Sequence, residues 1–180
     1  KFKDKIKYLK IENFPDQCSS WQRENFQRNF ITEGLLDAND DDFVIISDID
    51  EIPNLEHLDR LVKSKKRYTA FKQKMIYYKF NLLNLTEADW HGSRMCKFKD
   101  LKSPQWIRDQ KVKKYPFYRI DKLKWQIVDN GGWHFSMIMT PTEISEKIKS
   151  FAHTEFNTAE FTNVENIEKK IKLKKDLFGR

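Results

Sequence analysis

The chain has 180 residues, of which 39% are hydrophobic and 14% aromatic, with a formal net charge of +7. That length suits one domain, and so many aromatics exclude a disordered chain. Five Gly and five Pro exclude fibrous and linker classes, and no apolar run approaches the roughly 18 residues a membrane helix needs. The opening KFKDKIKYLK lacks a signal-peptide pattern. The chain does not begin with Met, so it is expected to be a fragment. Cys18 and Cys96 are too few for a disulfide scaffold or a Cys-rich zinc site, and read as free thiols of a reducing compartment. The positive charge attracts polyanions, among them nucleic acid and phosphorylated substrates.

In chain order, Lys5 to Ile11 alternates as a strand would. Ser19 or Ser20 caps a helix that begins near Trp21 and closes at Gly34, with Phe26 and Phe30 on one side. Phe43 to Ile46 is a short continuous apolar run, which suits a strand buried on both faces in a parallel sheet. Asn54 then caps a helix with Leu55, Leu58, Leu61 and Val62 inward. Residues 68–85, 90–100 and 115–128 read as further strands, and Asp129 to Gly132 as a turn. Thr140-Pro141-Thr142-Glu143 is a capping box that opens a helix with Ile144, Ile148 and Phe151 on its stripe. Residues 163–178 form a last, basic helix. The order is mixed α/β with a mostly parallel core, in a single domain over residues 1–180.

The sharpest feature is the acid cluster after the apolar run: Asp48, Asp50 and Glu51, followed by Ile52-Pro53. Ligands of open α/β sheets bind beyond the carboxyl ends of strands. Carboxylates this close repel one another, and a hard divalent cation, Mg²⁺ or Mn²⁺, relieves that. Residues i and i+2 of a strand share a face, so Asp48 and Asp50 are expected to approach one ion together. Two enzyme classes use such a site. In a sugar-nucleotide transferase the acids hold a metal on the diphosphate. In a haloacid-dehalogenase-type phosphatase the first acid, here Asp48, is the nucleophile. The phosphatase pattern wants a small residue where Glu51 stands, so the transferase reading leads. Arg28-Asn29 on the upstream helix supports it.

WQRENFQRNFITEGL, DDDFVIISDIDEIP, GGWHFS, KIKSFAHTEFN and KKDLFGR, in that order, resemble glycosyltransferase family 17. The resemblance runs from Lys5 to Arg180. It implies a GT-A-like fold with a mostly parallel central sheet flanked by helices, an inverting transfer, Mn²⁺ or Mg²⁺, and a UDP-sugar donor, UDP-N-acetylglucosamine being expected. Family members carry an upstream segment with the first nucleotide-binding strand and continue past KKDLFGR, so a core fragment lacking that strand is expected. Arg28, Asn29, Asp48 and Trp133 are the expected donor-binding residues. Asp48, Asp50, His134 and His153 are the candidate metal ligands, although each histidine is equally readable as structural.

Inversion needs a carboxylate on the acceptor side to take the hydroxyl proton. Asp129, beside the Gly131-Gly132-Trp133 turn, is the first candidate, and Glu155 the second. The expected partners are a nucleotide-sugar donor and a glycan acceptor, with neither nucleic acid nor a membrane segment. The compartment is expected to be the cytoplasm for a bacterial or viral chain, and the Golgi lumen for a eukaryotic one with an upstream anchor. A rival reading takes the basic helix around Lys169 to Lys175 as a nucleic-acid-binding surface.

Overall fold

The computed structural model describes residues 2–86, 90–116, 118–150 and 154–179. Helix α1 spans Ser20–Phe30, and a capping box starts it: Ser19 Oγ accepts from Gln22 N while Gln22 Oε1 accepts from Ser19 N. Strands β1 (Phe43–Ile46) and β2 (Glu51–Pro53) follow, then a short helix α2 (Leu58–Val62). Next come β3 (Tyr68–Tyr77), β4 (Trp90–Lys97), helix α3 (Pro104–Asp109), β5 (Trp125–Val128) and β6 (Gly132–Ser136). The chain closes with α4 (Pro141–Ser150), α5 (Ala159–Thr162) and α6 (Val164–Lys172).

The sheet order is β1-β4-β3-β6-β2, and β5 also pairs with β3. The long strand β3 carries β4 antiparallel on one edge. On its other edge β5 runs parallel along Tyr68–Phe71 and β6 parallel along Lys74–Tyr77. β5 and β6 are thus one interrupted line, broken at Asp129-Asn130-Gly131. Gly131 N donates to Lys72 O at 2.7 Å there, and a methyl on Gly131 would sit 2.6 Å from Lys72 N. Only glycine permits that approach.

The mostly parallel sheet expected from the sequence is therefore corrected to a mixed one. Among the described residues β1–β4, β3–β4 and β2–β6 are antiparallel, and only β3–β5 and β3–β6 are parallel. The apolar run of β1 misled because it is covered on both faces while lying at a sheet edge. Val44 and Ile46 join the cluster of Tyr68, Ala70, Cys96, Ile107 and Trp125. Ile45 packs on the opposite cluster of Leu61, Phe71, Met95 and Val128. Such cover makes any strand uniformly apolar, whatever its pairing.

A third cluster joins Met75, Tyr77 and Met137 to Ile144 and Ile148 of α4 and Ile167 of α6. The basic helix α6 thus turns its apolar side inward, and Lys170 Nζ lies over the Phe161 ring. The expected strand at Lys5 to Ile11 is absent. Ile6 and Tyr8 are exposed, and Leu9 packs against Gly34 instead of joining a sheet. Asn54 does not cap α2, whose N-cap is His57; its Oδ1 accepts from Glu56 N in a tight turn. Among the described residues of 115–128 the strand is β5 alone. Phe151 lies outside the described residues. No described helix is long and apolar enough to cross a membrane.

Candidate active site

The chain leaves β1 at Ile46 and reverses into β2 within a tight turn. Glu51 N donates to Asp48 O at 3.0 Å, with Ile49 and Asp50 at the tip and Ile49 fully exposed. Asp48 and Asp50 are therefore turn residues, not neighbours on one strand face as the i, i+2 spacing suggested. The reversal is imposed by β2, where Glu51 stands opposite His134 of β6. Ser47 Oγ donates to Glu51 O at 3.0 Å and lies 2.6 Å from Ser93 Oγ, which accepts from the buried Gln73. Phe135 N donates to Asp50 O at 2.8 Å.

The three acids have different partners. The Glu51 carboxylate is fully buried and takes both prongs of Arg108, each at 2.8 Å. It also accepts from Trp90 Nε1 at 2.9 Å and from Asp48 N at 3.1 Å. Asp48 gives one oxygen to Arg108 Nη2 at 2.8 Å and the other to Arg28 Nη2 at 3.3 Å. Arg28 also donates to Glu24 at 3.0 Å and to Gln105. Asp50 faces His134 Nε2 at 3.5 Å and Lys147 Nζ at 3.8 Å. The His134 ring packs on Trp90 at 5.0 Å between centroids, and its buried Nδ1 has no hydrogen-bond partner among the described residues.

Burial works against charge at Asp50, but His134 and Lys147 outweigh it and hold the carboxyl below its ordinary value. Burial likewise opposes the Arg108 charge, and the Glu51 and Asp48 carboxylates raise its pKa above the ordinary arginine value. Arg94, buried nearby, is lowered to about 10 by burial and by Arg108, with Glu51 and Asp48 acting the other way.

Asp48, Asp50, Trp90, Arg108, His134 and Lys147 line a cleft of about 720 Å³, with Glu51 buried behind it. It adjoins a second cavity of about 670 Å³, and Glu24, Gln27, Arg28, Asp48 and Ile49 line both. Among the described residues the cleft presents five carboxylates (Glu24, Asp48, Asp50, Asp109 and Asp176) against three cations, Arg28, Arg108 and Lys147.

Of the residues singled out in the sequence, the fold brings Arg28, Asp48, Asp50 and His134 together here. Asn29 does not line the cleft; its Oδ1 accepts from Gln105 N at 2.9 Å and ties α1 to α3. Trp133 alternates with the cleft-lining His134 and Ser136, so it stands on the other face of the sheet. Asp129 is outside the cleft, 87% exposed and 4.0 Å from Lys72 Nζ. Glu155, on the helical turn Thr154–Phe156, is exposed and also outside it. His153 lies outside the described residues.

Sequence reasoning missed several cleft residues, Arg108, Trp90 and Lys147 among them. A signal for Arg108 existed: Ser103-Pro104 is an N-cap with Pro at the first helical position, and Ser103 Oγ accepts from Trp106 N to start α3.

Among the described residues no group of three or more His, Cys, Asp or Glu side chains is arranged to hold a metal ion. Asp50 and His134 supply two facing donors, and both Asp48 oxygens are engaged by arginines. That engagement also leaves Asp48 ill suited as a phosphatase nucleophile.

No curated protein and no solved structure gives a significant match to the chain. The family model of glycosyltransferase family 17 matches residues 1–180, the whole of this chain. A full-length family match and a charged cleft at a strand end agree, and the chain belongs to glycosyltransferase family 17.

Proposed function

We propose that this glycosyltransferase moves N-acetylglucosamine from UDP-N-acetylglucosamine to a glycan hydroxyl with inversion, and that the cleft around Asp48 and Asp50 receives the donor. The observation that carries the reading is the charge balance of the cleft, five carboxylates against three cations. A diphosphate adds further negative charge, so the donor needs an accompanying cation. Asp50 and His134 Nε2, 3.5 Å apart, would hold Mn²⁺ or Mg²⁺, which commonly completes its shell with water and substrate phosphate oxygens. When bound, that ion offsets the charge that grows on the leaving diphosphate.

The chain's own groups supply the rest. Arg28 and Lys147 are cations on the cleft wall able to meet phosphate oxygens. Trp90 packs on His134 and donates to Glu51, which fixes the imidazole plane and the acid turn together. The acceptor hydroxyl gives its proton to a carboxylate as its oxygen attacks the anomeric carbon, and the bond from that carbon to the diphosphate oxygen breaks to release UDP. Asp129 and Glu155 stand outside the cleft, so the proposed base is Asp109. It lines the cleft, is exposed, and accepts only from Gln105 Nε2, at 2.7 Å, among the described hydrogen bonds.

Thermal shift with a nucleotide panel tests the donor. UDP with Mn²⁺ should raise the melting temperature by several degrees at 100 times the dissociation constant, since binding then adds about 2.7 kcal/mol. A shift with a different nucleotide and none with UDP overturns the uridine assignment.

A further inference from the structure

We propose that Arg108 and Glu51 are positioning residues for Asp48, together fixing where its carboxylate stands in the donor cleft; the inference rests on the donor-site reading above. One guanidinium holds two acids. Arg108 meets Glu51 through both prongs at 2.8 Å, and the same Nη2 reaches Asp48 Oδ2 at 2.8 Å. Glu51 in turn accepts from the Asp48 backbone N at 3.1 Å. Asp48 is thus held by its main chain through Glu51 and by its side chain through Arg108.

The Arg108 Nη atoms are spent inside the protein. Nη1 serves Glu51 and the Gly92 carbonyl, and Nη2 serves Glu51 and Asp48. These are the prongs a phosphate would otherwise use, so Arg108 acts on the ligand through Asp48. A carboxylate has about four acceptor positions. With one guanidinium on each Asp48 oxygen, acceptor capacity remains toward the two cavities it lines.

Stability alone is a weak reason for such a pair. Desolvation offsets most of the attraction in a buried ion pair, and replacing both partners with uncharged groups is often neutral. Placement is what such a pair supplies. The surrounding packing sharpens it: a methyl on Gly92 would sit 1.8 Å from Gln73 Oε1 and 2.8 Å from Glu51 Cδ, so the carboxylate is walled in.

The test is the double variant Glu51→Gln with Arg108→Met, which removes both charges and leaves one amide oxygen to accept from Trp90 Nε1 or from the Asp48 N–H, which Glu51 meets through separate oxygens. Melting temperature, equilibrium binding of UDP and of uridine, and the KM and kcat for UDP-sugar hydrolysis are measured with Mn²⁺. The expected result is a folded protein melting within a few degrees of wild type, with UDP affinity lowered about tenfold or more and donor KM raised in step. A folded double variant with wild-type UDP affinity and KM overturns the proposal. Should the double variant not fold, Arg108→Lys keeps the charge but loses the planar fork. It is expected to lose UDP affinity by about the same factor, and unchanged affinity overturns the proposal. A wild-type chain that binds no UDP instead sinks the donor-site reading, and this inference with it.

Discussion

Arg108 and Glu51 meet as a two-pronged pair against the cleft wall, with both Nη to Oε distances at 2.8 Å. α3 brings the guanidinium and the start of β2 brings the carboxylate, so elements far apart in sequence join at the acid turn. The absent side chain of Gly92 makes room for this meeting. Gly92→Ala should push Glu51 and Gln73 aside, costing about 1–3 kcal/mol as overpacking does. Chemical denaturation checks the cost. A variant as stable as wild type would show that the space is less tight than the geometry states.

Asp50 stands apart from that pair, facing His134 and Lys147. Asp50→Ala should fold and melt near wild type without ligand, because only a partly exposed carboxylate is lost. It should remove the extra thermal stabilisation that Mn²⁺ adds to UDP. A full Mn²⁺-dependent shift in the variant would take Asp50 out of the metal assignment.

The general base is separable by amide substitution, which keeps shape and removes basicity. Asp109→Asn should lower turnover by roughly 10²–10⁴-fold, the usual size of such a contribution, with UDP affinity unchanged. Asp129→Asn, at a position 87% exposed and outside the cleft, should stay within about threefold of wild type. The reverse pattern in a side-by-side assay would restore Asp129 and remove Asp109.

The two thiols should behave differently. Burial, helped by Asp100, pushes Cys96 up to about 12, whereas Cys18 is only partly buried. A thiol alkylating reagent at pH 8 should label Cys18 in the folded chain and reach Cys96 only after unfolding. The raised folded pKa adds stability that is complete below the unfolded value of about 8.5. That stability is lost as pH rises through about 12. Alkaline unfolding of Cys96→Ala should therefore depend less on pH over that window. Equal labelling of both thiols in the native state would contradict the burial.

Local signals carried much of this architecture. The capping boxes at Ser19 and Thr140 start α1 and α4 where their side chains satisfy the first turn. The acid run after Phe43 to Ile46 located the cleft, and Arg28, Asp50 and His134 converge there. What stayed hidden was long-range. Arg108 belongs to a six-residue helix, too short for periodicity to reveal, and its partners are 57 and 60 positions away. Trp133 and His134 were read as one motif, yet a strand sends neighbouring side chains to opposite faces. Asp129 sits in a correctly expected turn, but turn chemistry does not say which side of the sheet the turn serves.

The cleft at the acid turn is proposed as the donor site of a UDP-sugar transferase. The most direct measurement is release of free nucleotide from a panel of nucleotide sugars with Mn²⁺, run in parallel on wild type and Asp50→Ala. The expected result is release of UDP from one UDP-sugar, UDP-N-acetylglucosamine, by the wild-type chain and none above background by the variant. Release by Asp50→Ala at the wild-type rate, or a preference for a donor that carries no uridine diphosphate, would contradict it.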